Sequence, residues 1–113
     1  MIAVEEPMVS RILEHKLRRE GHHTLAVHDA ASLRTALAEM TFDVLLLHAS
    51  LRGVRLDPRS SVRAGWLLMT GSFDAPECVE QAMRDGAAGV VRLPFKPTAV
   101  AEQVATLLAM APA

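Results

Sequence analysis

Residues 43–47 read Asp43-Val44-Leu45-Leu46-Leu47, a stretch of strand length without polar alternation. A strand with one wet face alternates in polarity. A continuous run suits a parallel strand covered on both faces, with helices supplying the cover. The rest of the chain agrees, because segments of strand character alternate with segments of helical period. Ile2–Val4 is short and apolar. Pro7 opens a segment in which Val9, Ile12, Leu13 and Leu17 recur at helical spacing, and Gly21 stops it. Thr24–Val27 reads as a second strand. Asp29 is an N-cap for a helix whose apolar face is Leu33, Ala36, Leu37 and Met40. Trp66–Met69 is a fourth strand. Asp74-Ala75-Pro76-Glu77 reads as a cap followed by a first turn, and the helix it opens turns Val79, Ala82 and Met83 inward and ends at Gly86. Val90–Leu93 is a fifth strand. Pro97 opens a last helix with Val100, Val104, Leu107 and Leu108 on one stripe.

Five β–α units in series predict an α/β, doubly wound parallel sheet within a single domain, residues 1–113. The connection between the third and fourth strands is the exception. Val54–Gly65 holds Pro58, Ser60, Ser61 and three arginines without an apolar stripe. About a dozen residues is near the minimum for a parallel crossover, so the third helix is expected to be shortened to a turn or a loop. Half of the 113 residues are hydrophobic, enough for a packed core, and the formal net charge is −1. With no basic stripe or polybasic run, nothing points to nucleic acid or a membrane surface. The single cysteine, Cys78, excludes an intramolecular disulfide, and the first residues lack a basic leader region. The expected location is cytoplasmic.

The ordered set of segments resembles the receiver domain of bacterial two-component response regulators, along nearly the whole chain. Val4-Glu5-Glu6-Pro7 resembles the acidic end of the first strand, and Gly21-His22 the turn into the second. Leu37-Ala38-Glu39 through Phe42–Leu47 resembles the second helix and third strand. Leu68-Met69-Thr70-Gly71 resembles the fourth strand and its switch residue. Gly86-Ala87-Ala88-Gly89, with Leu93-Pro94-Phe95, resembles the fifth strand and its Lys-Pro-Phe end. The resemblance implies a flavodoxin-like sheet of order 2-1-3-4-5, a topology for which a receiver protein is a standard example.

It also implies a chemistry that this sequence largely lacks. A receiver holds Mg²⁺ with two acids on the first strand, since that ion demands carboxylate oxygens and water. It takes a phosphoryl group on an aspartate after the third strand, and it carries a hydroxyl on the fourth strand and a lysine on the fifth. Here the acceptor position is His48, and the lysine position is Leu93, which neither donates nor carries charge. The acidic pair is Glu5 with Val4 by direct counting, or Glu5 and Glu6 with a one-residue deletion. Thr70 keeps the family's hydroxyl. Val90 replaces the aromatic that moves on activation in many members, and Lys96 lies beyond the Pro-Phe.

Most of these residues have plain structural roles available. His48 reads first as a hydrogen-bonded imidazole at a strand end, Glu5 and Glu6 as solvated or capping carboxylates, and Thr70 as a strand-end hydroxyl. Cys78 reads as a small apolar filler, and His22 and His23 as surface turn residues. A more specific arrangement would join His28, Glu5 or Glu6, and His48 along one sheet edge, a donor set suited to Zn²⁺ rather than Mg²⁺. The leading expectation is a degenerate pseudo-receiver. It would be no enzyme, would hold no metal or cofactor, and would bind a protein partner or itself without phosphorylation. The alternatives are a relay protein that uses His48 as acceptor, and a small-ligand or metal site at the same edge. Two docking faces follow: an apolar groove left by the short Val54–Gly65 crossover, and the face made by the Asp74–Asp85 helix, the fifth strand and the last helix. The resemblance implies the second as a dimer surface.

Overall fold

The structure, a computed structural model, describes residues 1–51, 62–71 and 76–110. Among them, β1 (Ile2–Ala3), β2 (Ala26–Val27), β3 (Phe42–His48), β4 (Val62–Thr70) and β5 (Gly89–Arg92) form one sheet of order β2-β1-β3-β4-β5, parallel throughout. The helices are α1 (Pro7–Arg19), α2 (Ala30–Glu39), α3 (Pro76–Arg84) and α4 (Pro97–Met110). The expected doubly wound architecture is therefore present. After β3 the chain makes one turn of 3₁₀ helix, Ala49–Leu51. Most of the expected loop-like crossover, and the Asp74 cap, fall outside the described residues.

Local chemistry sets the helix ends. Glu6 accepts the Met8 amide through its side chain at 3.3 Å, and Pro7 follows as a first residue with no amide to satisfy. At the far end Gly21, at φ +92°, closes α1. Its amide donates to the Arg18 carbonyl and that of His22 to the Leu17 carbonyl, both at 3.0 Å. This paired arrangement needs a left-handed residue, which glycine adopts without a Cβ clash. Asp29 caps α2 as expected, with Oδ1 accepting the Ser32 amide at 2.7 Å.

Two apolar layers sandwich the sheet. On one face Leu13 and Leu17 of α1 and Val100 and Val104 of α4 meet Ile2, Val44, Leu46, Leu67 and Met69. On the other, Leu33 and Ala36 of α2 and Ala82 of α3 meet Ala3, Leu45, Leu47, Trp66 and Leu68. Alternate residues of β3 feed opposite layers, so its lack of polar alternation is explained by double-sided burial.

Several expectations need correction. Ile12 is 47% exposed, whereas Ser10 is buried at 1%. The inward stripe of α1 is Ser10, Leu13 and Leu17, and a polar residue had concealed its true direction. Met40 is exposed because it is the C-cap of α2, with extended dihedrals that take it off the helix. Met83 is exposed because Ala82, one residue and about 100° earlier on the helix, faces the sheet. β2 is shorter than Thr24–Val27. β4 starts four residues before Trp66, where Val62 pairs with Phe42 across a register shift.

Among the described residues, no exposed apolar groove lies over β3 and β4. Leu45, Leu47, Trp66 and Leu68 are at most 3% exposed. The indole of Trp66 and the side chain of Leu51, brought in by the 3₁₀ turn, belong to this same layer.

Candidate functional site

The carboxyl ends of the strands define the edge at which open α/β sheets bind ligands. There β1 runs into Val4, which is buried, and then into the exposed Glu5 and Glu6. A hollow of about 380 Å³ lies at this edge, lined by Val4, Glu5, Glu6, Val9, His48, Ser50 and Leu93. The fold thus gathers both acids, His48 and Leu93, four residues drawn from three separate parts of the sequence.

His48 ends β3 and is half-buried. Its Nδ1 lies 3.1 Å from the Ser50 amide nitrogen and 2.8 Å from Ser50 Oγ. A backbone amide can only donate, so Nδ1 is the acceptor and the neutral ring carries its proton on Nε2. In that state neither ring nitrogen offers a free lone pair to a phosphoryl group or a cation. Ser50 was not singled out by sequence. The signal available was a hydroxyl residue two positions past a strand-ending histidine, a spacing at which side chains bond backbone locally.

His28 has the opposite tautomer. Its Nδ1 sits 3.0 Å from the Val4 carbonyl, which accepts only, so Nδ1 bears the proton. The proposed joining of His28, Glu5 or Glu6, and His48 does not occur. No group of three His, Cys, Asp or Glu side chains among the described residues is arranged to hold a metal ion. The register explains this. Ala3 pairs with Val27 on one side and Leu47 on the other, so His28 and His48 flank Val4 at two strand spacings, about 9–10 Å.

Leu93 follows β5, is half-buried and packs on the α1–α4 layer, and its amide donates to the Thr70 carbonyl at 2.8 Å. Leu93 presents an isobutyl group to the hollow. Thr70 ends β4 at 3% exposure, and its Oγ1 lies 3.5 Å from the Gly71 carbonyl oxygen. Val90 on β5 is half-buried, and its carbonyl accepts Gln103 Nε2 of α4 at 3.4 Å. Lys96 is exposed at the start of α4 and does not line the hollow. Cys78 is half-buried on α3.

No family model matches this sequence, and no curated protein matches it. Solved structures do. The receiver domain of NtrX from Brucella abortus superposes with a TM-score of 0.83 at 22% identity, covering 97% of this chain and 98% of that one. A CheY-like response regulator receiver domain protein from Methanospirillum hungatei JF-1 gives 0.81 at 16% identity, over 96% of this chain and 90% of that one. The receiver domain of a signal transduction histidine kinase from Syntrophus aciditrophicus gives 0.73 at 21% identity, over 96% and 88%. The fold of this chain is that of the response-regulator receiver domain.

Proposed function

We propose that this chain is a pseudo-receiver, a signalling module that binds a protein partner or a second copy of itself without being phosphorylated. One observation carries the reading. The hollow at the carboxyl edge is lined by two acids, His48 and Leu93, and the sequence resemblance aligns the last two with the acceptor and the lysine. Phosphoryl transfer rests on a nucleophile and on fixed positive charge around the transferring group. Among the described residues the hollow supplies neither.

In this reading the chain is not an enzyme and needs no metal. Its one cysteine, half-buried and without a disulfide, fits a reducing, cytoplasmic setting. No helix among the described residues is long and apolar enough to cross a membrane. The contact face is the one formed by α3, β5 and α4. Val90 there cannot act as an aromatic switch, so binding would be constitutive. Met83 of α3 and Met110 of α4, 49% and 77% exposed, would supply adaptable apolar contacts.

The test is exposure to acetyl phosphate and Mg²⁺ followed by intact-mass spectrometry. The expected result is an unchanged mass. A stoichiometric increment of one phosphoryl group would overturn the reading.

A further inference from the structure

We propose that His48 serves as a neutral imidazole cap for the turn that leaves β3, and that acid releases this turn. The cap is local. Nδ1 of His48 accepts the Ser50 amide at 3.1 Å and lies 2.8 Å from Ser50 Oγ. Ser50 is the middle residue of the Ala49–Leu51 turn. That turn delivers Leu51, at 3% exposure, into the layer shared with Leu47, Trp66 and Leu68. The ring therefore fixes the direction in which the chain leaves the sheet, as an aspartate or asparagine does in a side-chain-closed turn.

An imidazole differs from those side chains in one respect. It gains a proton within the ordinary pH range, between about pH 5 and 8. Protonation puts a hydrogen on Nδ1, and two N–H groups cannot bond to each other, so the Ser50 amide loses its acceptor. Ser50 Oγ can turn to accept from the new Nδ1–H, which keeps the side chains together while the backbone bond is lost. Among the described residues, the charged groups lining the same hollow are Glu5 and Glu6 from the β1–α1 junction. Leu93, after β5, contributes no charge. His28 lies on the far side of β1 and is engaged with the Val4 carbonyl.

The experiment uses the whole 113-residue chain, with ¹⁵N NMR of the histidine rings and hydrogen exchange at the Ser50 amide followed from pH 8 to pH 5. At the upper end the His48 Nδ1 should show the shift of an unprotonated nitrogen and Nε2 that of a protonated one. As His48 titrates, Ser50 amide protection should fall by about three- to tenfold beyond the intrinsic pH trend, the effect of losing one ordinary hydrogen bond. His48→Asn keeps an acceptor in the same place without titrating, so its Ser50 amide should stay protected across the range. His48→Ala should leave it unprotected throughout. A ring found protonated on Nδ1 at pH 8 overturns the proposal. So does a Ser50 profile that is the same in the parent chain and in His48→Asn.

Discussion

The first backbone nitrogen of this chain is a buried amine. The Met1 amine donates to the Val44 carbonyl at 2.7 Å, in line with the ladder that joins β1 to β3, and Met1 is only 8% exposed. Removal from water opposes the charged form and lowers its pKa from 8.0 to about 6, although Asp43 partly offsets this. The sign follows from linkage. Below about pH 6 the amine is charged in both folded and unfolded chains, and the folded state bears the whole desolvation cost. Between pH 6 and 8 the unfolded chain binds more protons, so stability rises with pH. Above pH 8 both forms are neutral and the term vanishes. Two pKa units correspond to about 2.7 kcal/mol, a large part of the stability of a domain this size.

The perturbation is Nα-acetylation, which removes the charge and keeps an N–H for the Val44 carbonyl. A hollow of about 460 Å³ at that edge, lined by Met1, Asp43 and Val44 among others, leaves room for the added group. Urea unfolding of the free and acetylated 113-residue chains should be compared from pH 5.5 to 8.5. The difference in stability should be close to zero at the upper end and should grow to about 2–3 kcal/mol in favour of the acetylated chain at the lower end. Every other titratable group is common to both chains and cancels in the difference. The same difference at every pH would refute the argument, since it would mean that the amine is solvated in the folded state.

Three further outcomes are expected. Ser10→Ala should raise stability by about 1 kcal/mol in denaturant titration, because the hydroxyl is buried without a hydrogen-bond partner. Asp29→Ala should cost about 1 kcal/mol, with Asn restoring most of it, since the Ser32 amide needs only an oxygen to accept it. Adding Mg²⁺ to about millimolar should leave the thermal midpoint unchanged, whereas a site filled well above its dissociation constant would gain on the order of 1–3 kcal/mol.

The order of elements was legible in the sequence because its strongest signals are local and redundant. Proline and glycine mark the ends of helices, and Asp43–Leu47 is a doubly buried strand by composition alone. What was not legible depended on rotation and on neighbours. Nothing in the pattern of α1 prefers Leu13 with Ser10 to Leu13 with Ile12, because the choice is made where α1 lies between the sheet and α4. The extra length of β4 comes from pairing with Phe42, a contact between distant residues. The covered face over β3 and β4 was missed for a related reason. The sequence lacks a helical stripe after β3, but among the described residues one indole and one leucine, Trp66 and Leu51, join that layer. At the site, each residue's identity was plain while its hydrogen-bond partners were not. The two tautomers of His28 and His48 follow from which backbone group each ring meets, and only the assembled edge determines that.

The layers that hold the fold and the edge that would carry receiver chemistry are nearly separate sets of residues. The largest fully buried side chains, among them Ile2, Leu13, Leu33, Leu45, Leu46, Leu47, Leu68 and Met69, lie behind the edge, whereas Glu5, Glu6 and Ser50 are exposed at it. Substitutions at exposed positions usually cost little stability, so residues of this edge such as Glu5, Glu6 and Ser50 can change while the sheet persists. Leu93 goes one step further. An ammonium at that place would need solvent or an anion beside it, whereas an isobutyl group packs on the α1–α4 layer and adds to the apolar area buried. On the proposed reading, loss of the charge would be tolerated by the fold and, through packing, favoured by it. The surfaces of α3, β5 and α4 do not depend on either residue. On the proposed reading, a chain that keeps those surfaces, with Leu93 and a capped His48 at its hollow, would retain the means to bind a partner and would have nothing at position 48 for phosphate to switch.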